Sequence, residues 1–298
     1  MDLSGVYPAL TTPFAADGSV SLSDLKYNIE RYNSTGLAGY VVIGSTGESV
    51  LLSRSETESI LATVKEAAGQ GKRLIAGTGA ESTAETIERT KRAAELGYHF
   101  ALVKTPYYYK PAYRPEVLIA HYRRVADASP IPILLYSVPI FTGVTLEAPE
   151  VATLSEHPNI VGIKDSSGHV MRVGEMVATA QPDFQVLTGS APTLLAGLTV
   201  GAKGAILALA SGLPEKCIEL FELARAGNIE RARELQNVVL KISKVVASEH
   251  AIAGLKFLMD KRGYRGGIPR QPLVPISEAY KQRIVESLAS LEPAFARA

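Results

Sequence analysis

Tyr40-Val41-Val42-Ile43-Gly44-Ser45-Thr46-Gly47-Glu48-Ser49, followed at once by Val50-Leu51-Leu52 and Ser53-Arg54-Ser55-Glu56, carries the unit from which the fold is read. Four apolar β-formers in a row suit a strand buried on both faces, the mark of a parallel sheet. Gly44 ends the run and a glycine–hydroxyl turn follows. Ser53 and Glu56 then stand in S-x-x-E spacing, which satisfies the free N–H groups of a first helical turn. Behind them Ile60, Val64 and Ala67 fall at i, i+4 and i+7 and form one apolar stripe. The unit is strand, turn, helix.

The same unit recurs along the chain. Apolar runs stand at Val6–Leu10, Tyr40–Ile43, Leu74–Ala76, Phe100–Val103, Ile133–Tyr136, Ile160–Ile163, Phe184–Leu187 and Ala205–Leu209. Ser21 with Asp24 and Ser82 with Glu85 repeat the helix-start pattern, and Leu25, Ile29 and Tyr32 repeat the stripe. Pro115, Pro192 and Pro214 suit first-turn positions of later helices. Strand–helix alternation implies a parallel sheet covered by helices. Eight units without a reversal point favour a closed barrel over an open sheet. The pattern turns helical after Leu209 and stays so to Ala298. The sequence therefore predicts an α/β protein, a (β/α)8 TIM barrel over 1–225 carrying the active site. A C-terminal helical extension, 226–298, is expected to pack on it.

Composition narrows the function. In 298 residues, 31 Lys and Arg stand against 30 Asp and Glu, so no basic surface points to nucleic acid. His99, His121, His157, His169 and His250 are scattered, none at HxH or HxxxH spacing, and Cys217 has no partner cysteine. That argues against a structural zinc site and a disulfide framework, and suits a reducing, cytoplasmic setting. The first residues show neither the basic nor the apolar segment of a secretory signal. Leu194–Leu213 is apolar but carries Lys203 and is broken by Gly197, Gly201, Gly204 and Gly212. A membrane span needs roughly 20 uninterrupted apolar residues, so a short helix, a turn and a buried strand are expected instead.

Familiar motifs fail. Gly77-Thr78-Gly79 lacks the third glycine of a dinucleotide fingerprint, since Ser82 stands there. Gly71-Lys72 is no P-loop, and there is no G-x-S-x-G elbow. The absence of a histidine cluster disfavours a metal-dependent aldolase.

Chemistry in a (β/α)8 barrel sits at the C-terminal ends of the strands. There stand Gly44-Ser45-Thr46-Gly47-Glu48-Ser49, Gly77-Thr78-Gly79-Ala80-Glu81, Lys104-Thr105-Pro106-Tyr107-Tyr108-Tyr109, Tyr136-Ser137-Val138-Pro139, Lys164-Asp165-Ser166-Ser167-Gly168 and Thr188-Gly189-Ser190. Two lysines, several tyrosines and many hydroxyls remain. A lysine deep in a barrel mouth loses hydration, so its pKa falls and a neutral amine can attack a ketone. A tyrosine beside it can move protons, and a glycine–hydroxyl turn can hold a carboxylate. Position alone does not separate Lys104 from Lys164.

At these residues the chain resembles the dihydrodipicolinate synthase/N-acetylneuraminate lyase superfamily, from Gly5 to about Pro272. Four markers carry the likeness in order: Gly44-Ser45-Thr46-Gly47-Glu48, Thr105-Pro106-Tyr107-Tyr108, Tyr136-Ser137-Val138-Pro139 and Gly162-Ile163-Lys164-Asp165. The resemblance implies that Lys164 forms a Schiff base with pyruvate, leaving Lys104 a departure without a role. It implies that Tyr136 donates and accepts protons at the substrate oxygen, relayed by the Ser45 hydroxyl. Ser45 and Thr46 would clamp the pyruvate carboxylate, Ile206 would line its pocket, and Tyr108 would come across a subunit interface. Relatives are commonly dimers of dimers, so a homotetramer is expected. The imine is itself the electron sink, so neither a metal nor an organic cofactor is required.

Within the superfamily the best overall likeness is to 4-hydroxy-2-oxoglutarate aldolases. It shows in Leu135-Tyr136-Ser137-Val138-Pro139, His157-Pro158-Asn159-Ile160-Val161-Gly162, Lys164-Asp165-Ser166 and Phe184-Gln185-Val186-Leu187. Ser166 then resembles a substrate-binding hydroxyl. Two positions depart from that branch: Thr46 stands where it tends to have Asn, and Phe141 is unlike its usual polar residue. The main expectation is cleavage of 4-hydroxy-2-oxoglutarate to pyruvate and glyoxylate. The alternative is 4-hydroxy-tetrahydrodipicolinate synthase, which condenses pyruvate with aspartate-semialdehyde. That branch typically carries Arg two residues beyond Pro139, to bind the aldehyde's carboxylate. Phe141 stands there and cannot pair a carboxylate. Its lysine-feedback site is also poorly matched, with Arg54 and Glu81 where His and Asn often stand. A sugar-acid aldolase, or a 2-oxo-acid-binding barrel without turnover, stays open.

Overall fold

The structure, a computed structural model, describes residues 2–247 and 251–295. Of the positions used above, Met1, His250 and 296–298 lie outside the described residues. Eight strands form: β1 Gly5–Pro8, β2 Gly39–Val42, β3 Arg73–Gly77, β4 Phe100–Lys104, β5 Ile133–Ser137, β6 Ile160–Asp165, β7 Gln185–Thr188 and β8 Gly204–Leu207. All are parallel, each pairs with the next from β2 to β8, and β8 pairs back with β1. Backbone bonds from Ala38 N to the Val6 carbonyl (3.0 Å) and from Leu10 N to the Val41 carbonyl (2.9 Å) join β1 to β2 and close the ring. The chain is a (β/α)8 TIM barrel, as the alternation requires.

The strands are separated by α1 Leu22–Asn33, α2 Arg54–Ala67, α3 Thr83–Glu95, α4 Pro115–Ala128, the short α5 Pro139–Thr142 with α6 Ala148–Ser155, α7 Val170–Thr179 and α8 Leu194–Thr199. After β8 come α9 Pro214–Arg225, α10 Ile229–Ala247, α11 Ala251–Lys261 and α12 Glu278–Phe295. Of the three S-x-x-[DE] starts, only that of α2 closes reciprocally: Ser53 Oγ accepts from Glu56 N at 3.2 Å while Glu56 accepts from Ser53 N at 2.8 Å. At α3 the Ser82 half forms, but the Glu85 carboxylate turns to Arg89 at 2.8 Å. At α1 Ser21 Oγ donates to Asp24 itself, whose shorter side chain does not reach back. Pro192 opens a 3₁₀ turn, Ala191–Thr193, ahead of α8 rather than the helix itself.

Period-2 alternation divides the strand side chains. Tyr7, Phe100, Leu102, Leu134, Leu187 and Ile206 fill the barrel interior. Outward residues such as Val42, Ile163 and Val186 meet helix stripes, including Leu25, Ile29 and Val64 of α1 and α2. Each such aliphatic group stabilises the fold by ~1.5–3 kcal/mol when fully buried.

The chain beyond α11 ties back to the barrel. Arg270 donates through both fork nitrogens to Glu56 at the start of α2, at 2.8 and 2.5 Å, and its backbone N–H donates to Glu48 at 2.8 Å. The Arg270 hydrogen bonds hold the Glu56 carboxyl down at about 2. Because this folded-state value lies below the unfolded one of about 4.3, the contact stabilises above that pH and is lost as pH falls to about 2. Glu56→Gln is therefore expected to flatten the acid limb of the stability curve across that window, measured by urea unfolding at stepped pH. Parallel limbs for wild type and variant would contradict this.

Candidate active site

Register brings the key side chains together. Lys104 on β4 pairs with Tyr136 on β5, and Tyr136 pairs with Lys164 on β6. Lys104 and Tyr136 continue the alternation of Phe100, Leu102 and Leu134, so all point into the barrel mouth. Lys164 follows Gly162 by two after a register shift in β6 near its start. Lys164 and Tyr136 are each 4% exposed. The Lys164 amine lies 4.3 Å from the centre of the Tyr136 ring. The Tyr136 hydroxyl lies 3.4 Å from the Ser45 Oγ. The Lys164 amine thus lies against the Tyr136 ring, whose hydroxyl is within reach of Ser45.

Ser45 owes its position to an unusual turn. Ser45–Gly47 is a single 3₁₀ turn flanked by Ile43 (φ 60°) and Glu48 (φ 55°), both left-handed and neither glycine. Each such residue costs on the order of 1–2 kcal/mol. Gly77 of β3 makes room for the first: a Cβ there would lie 2.1 Å from the Ile43 carbonyl oxygen. Glu48 is held by charge. It is wholly buried and paired at 2.5 Å with Lys256 of α11, which is equally buried. Lys256 also donates to the Ile268 carbonyl at 2.7 Å and lies 4.6 Å over the Phe14 ring. The C-terminal chain thereby clamps the turn from behind.

The other expected positions divide. Ile206 is fully buried among the interior residues that include Tyr136. Thr46 lies half-buried in the turn beside Ser45. Ser166 donates its backbone N–H to the Ser137 carbonyl at 2.9 Å. Its Oγ fills the space over Gly189, where a Cβ would come within 2.0 Å. Tyr108 is not brought to Tyr136: it is 73% exposed and stacks edge-on against Tyr109 outside the mouth. Phe141 on α5 is 58% exposed. Lys104 is half-buried and donates to the Gly79 carbonyl at 2.9 Å. Burial lowers its pKa from the ordinary lysine value; Glu81 opposes that and Arg89 adds to it. A cavity of about 210 Å³ is lined by Ser45, Gly79, Glu81, Lys104, Tyr107 and Tyr136.

Sequence reasoning missed the Glu48–Lys256 pair. Its only signal was a lysine inside the apolar run Ala253-Gly254-Leu255-Lys256-Phe257-Leu258. It quoted Asp165, next to Lys164, without giving it a role. Asp165 is buried, its Oδ1 accepts from Ser167 N at 3.1 Å, and burial raises its pKa against the pull of Ser167. Among the described residues no cluster of three or more His, Cys, Asp or Glu is placed to hold a metal, and no helix is long and apolar enough to cross a membrane.

A profile of the Dihydrodipicolinate synthetase family matches residues 2–291. The chain belongs to the dihydrodipicolinate synthetase family. It is an enzyme of the Schiff-base (class I) lyase type that this family comprises. The 4-hydroxy-tetrahydrodipicolinate synthase of an Exiguobacterium species is 37% identical over 285 residues, covering 96% of this chain and 97% of the relative. A dihydrodipicolinate synthase of Bacillus anthracis superposes with a TM-score of 0.93 at 28% identity, covering 97% and 99% of the two chains. That of Acinetobacter baumannii, complexed with pyruvate, gives 0.91 at 33% identity over 96% and 97%. These relatives carry the synthase name, the alternative in the sequence reading, rather than that of the 4-hydroxy-2-oxoglutarate aldolases.

Removing one partner of a buried ion pair leaves the other charge uncompensated. Lys256→Met should therefore cost ~3–5 kcal/mol in urea unfolding. Adding Glu48→Gln should recover a good part of that loss, because the stranded charge is gone. Simple additivity of the two substitutions would show that the pair does not act as a unit.

Proposed function

We propose that this enzyme makes or breaks a carbon–carbon bond to pyruvate through an imine on Lys164. The observation that carries the proposal is the buried Lys164 amine 4.3 Å from the ring of Tyr136, itself 3.4 Å from Ser45. The Lys164 amine attacks C2 of pyruvate, and water leaves to give the imine. Loss of a C3 proton gives the enamine, whose C3 adds to an aldehyde carbon while Tyr136 protonates the aldehyde oxygen. Water then releases the product and returns the amine. Cleavage runs backwards: Tyr136 takes the C4 hydroxyl proton, the C3–C4 bond breaks, and the enamine is protonated and hydrolysed. Ser45 relays the proton of Tyr136, and Ser45 with Thr46 holds the pyruvate carboxylate. Ile206 closes the apolar side of that pocket, and the Ser166 hydroxyl meets the second substrate.

The names of the relatives favour condensation of pyruvate with aspartate-semialdehyde, and that is the first reading. A second reading, cleavage of 4-hydroxy-2-oxoglutarate, is favoured by Phe141, which leaves position 141 without a cation for the semialdehyde's carboxylate. We further propose a cytoplasmic dimer of dimers in which Tyr108 reaches a partner's mouth. Support for a covered surface there comes from the exposed apolar groups Val50, Tyr108, Ile140 and Phe141.

The purified protein, with a chelator present, is to be assayed on both substrates. Turnover of aspartate-semialdehyde with pyruvate at the greater kcat/KM supports the first reading; faster pyruvate release from 4-hydroxy-2-oxoglutarate supports the second. In either assay Lys164→Ala should be inactive, and Tyr136→Phe should lose ~10²–10⁴-fold in kcat. An active Lys164→Ala variant sinks the proposed chemistry.

A further inference from the structure

Lys104 is the one strand-end amine that the proposed chemistry leaves unused. It is not a solvated loop residue. It closes β4 in the same register layer as Tyr136 and Lys164 and faces inward with them. Strands lie about 4.8 Å apart, so the backbones of Lys104 and Lys164 are separated by two such steps, roughly 10 Å across the mouth. Two lysine side chains reaching inward across that gap leave a space between their amines on the scale of a small 2-oxo acid, on the order of a few Å.

The surroundings are built for this side chain. A Cβ at Gly79 would lie 2.6 Å from Lys104 N and 2.9 Å from its Cγ, so glycine is what allows the lysine to lie there. The amine donates once, to the Gly79 carbonyl, and an ammonium has three donors. Neighbouring charges are largely engaged elsewhere. The Glu81 carboxylate accepts the backbone N–H groups of Tyr107 and Tyr108 at 3.1 and 2.8 Å, and Arg89 pairs with Glu85 at 2.8 Å. Two cavities meet at Lys104. Both are lined by Ser45, Lys104 and Tyr107; one extends to Tyr136, the other to Phe141.

We propose that Lys104 binds the distal carboxylate of the second substrate, supplying from β4 the cation that position 141 on α5 lacks. This rests on the Schiff-base reading above, and holds for either aldehyde named there, since both carry a carboxylate. The second substrate is accordingly an aldehyde with an acid group, not a neutral sugar. The cation acts as a point charge rather than a bidentate fork, and its low hydration in the half-buried site favours pairing with an anion.

The test uses borohydride trapping on the whole protein with a pair of five-carbon probes. 2-Oxoglutarate carries the distal carboxylate; 2-oxopentanoate has a methyl group in its place. The wild type should trap 2-oxoglutarate at a lower half-saturating concentration. In Lys104→Met that preference should fall by about tenfold or more, the loss expected of a charge-assisted contact. Lys104→Arg should retain most of it. Trapping of pyruvate by each variant reports that the site is folded. If Lys104→Met fails that control, Lys104→Gln takes its place, with the same loss of preference expected. A preference unchanged within twofold in a variant that still traps pyruvate overturns it while leaving the Schiff-base reading intact. Failure of the wild type to trap pyruvate overturns both.

Discussion

Everything in the barrel mouth depends on strand register. In a strand, successive side chains point to opposite faces, so a slip of one residue would move an inward side chain to the helix side. The pairing of Lys104 with Tyr136 and of Tyr136 with Lys164 fixes three chemically able groups in one layer. That register is held by the apolar residues beneath it. Phe100, Leu102, Leu134 and Leu187 fill the interior with the same parity, and exposing them would cost far more than any contact within the site contributes.

The second constraint is the turn after β2. Ser45 reaches Tyr136 only because the backbone is bent left-handed at Ile43 and Glu48. The Glu48–Lys256 pair and the Arg270 backbone contact oppose relaxation of that bend. The C-terminal helices therefore act on the site without entering it. Charges inside a protein are costly unless paired, so the clamp is strong as a pair and weak as either half. The two lysines of the mouth differ in their partners. Lys164 lies over the Tyr136 ring, whereas Lys104 donates to the Gly79 carbonyl and lies 5.0 Å from the centre of the Tyr107 ring.

Much of this was legible in the sequence. Continuous apolar runs and their spacing announced eight parallel strands, because a strand buried on both faces has no polar side to alternate with. The strand ends then named the side chains available for chemistry. Helix starts were legible only in part. Ser53 and Glu56 close their reciprocal cap, whereas Asp24 is too short to do so and Glu85 finds Arg89 instead. What sequence could not give was partnership across long separations. Glu48 and Lys256 lie 208 positions apart, and nothing local marks them as partners. The exposure of Tyr108 is of the same kind: nothing local in the sequence marks it as lying away from Tyr136. The substrate stayed open because the residue types at 137 and 166 point to one branch, Phe141 fits the usual residue of neither, and the named relatives belong to the other.

In the proposed chemistry one amine of the two in the mouth, Lys164, forms the covalent bond. Reduction of the protein with borohydride in the presence of pyruvate, followed by peptide mass mapping, locates that bond. A single adduct is expected, on the peptide containing Lys164, with Lys104 unmodified. An adduct on Lys104, or none on any lysine, would contradict it.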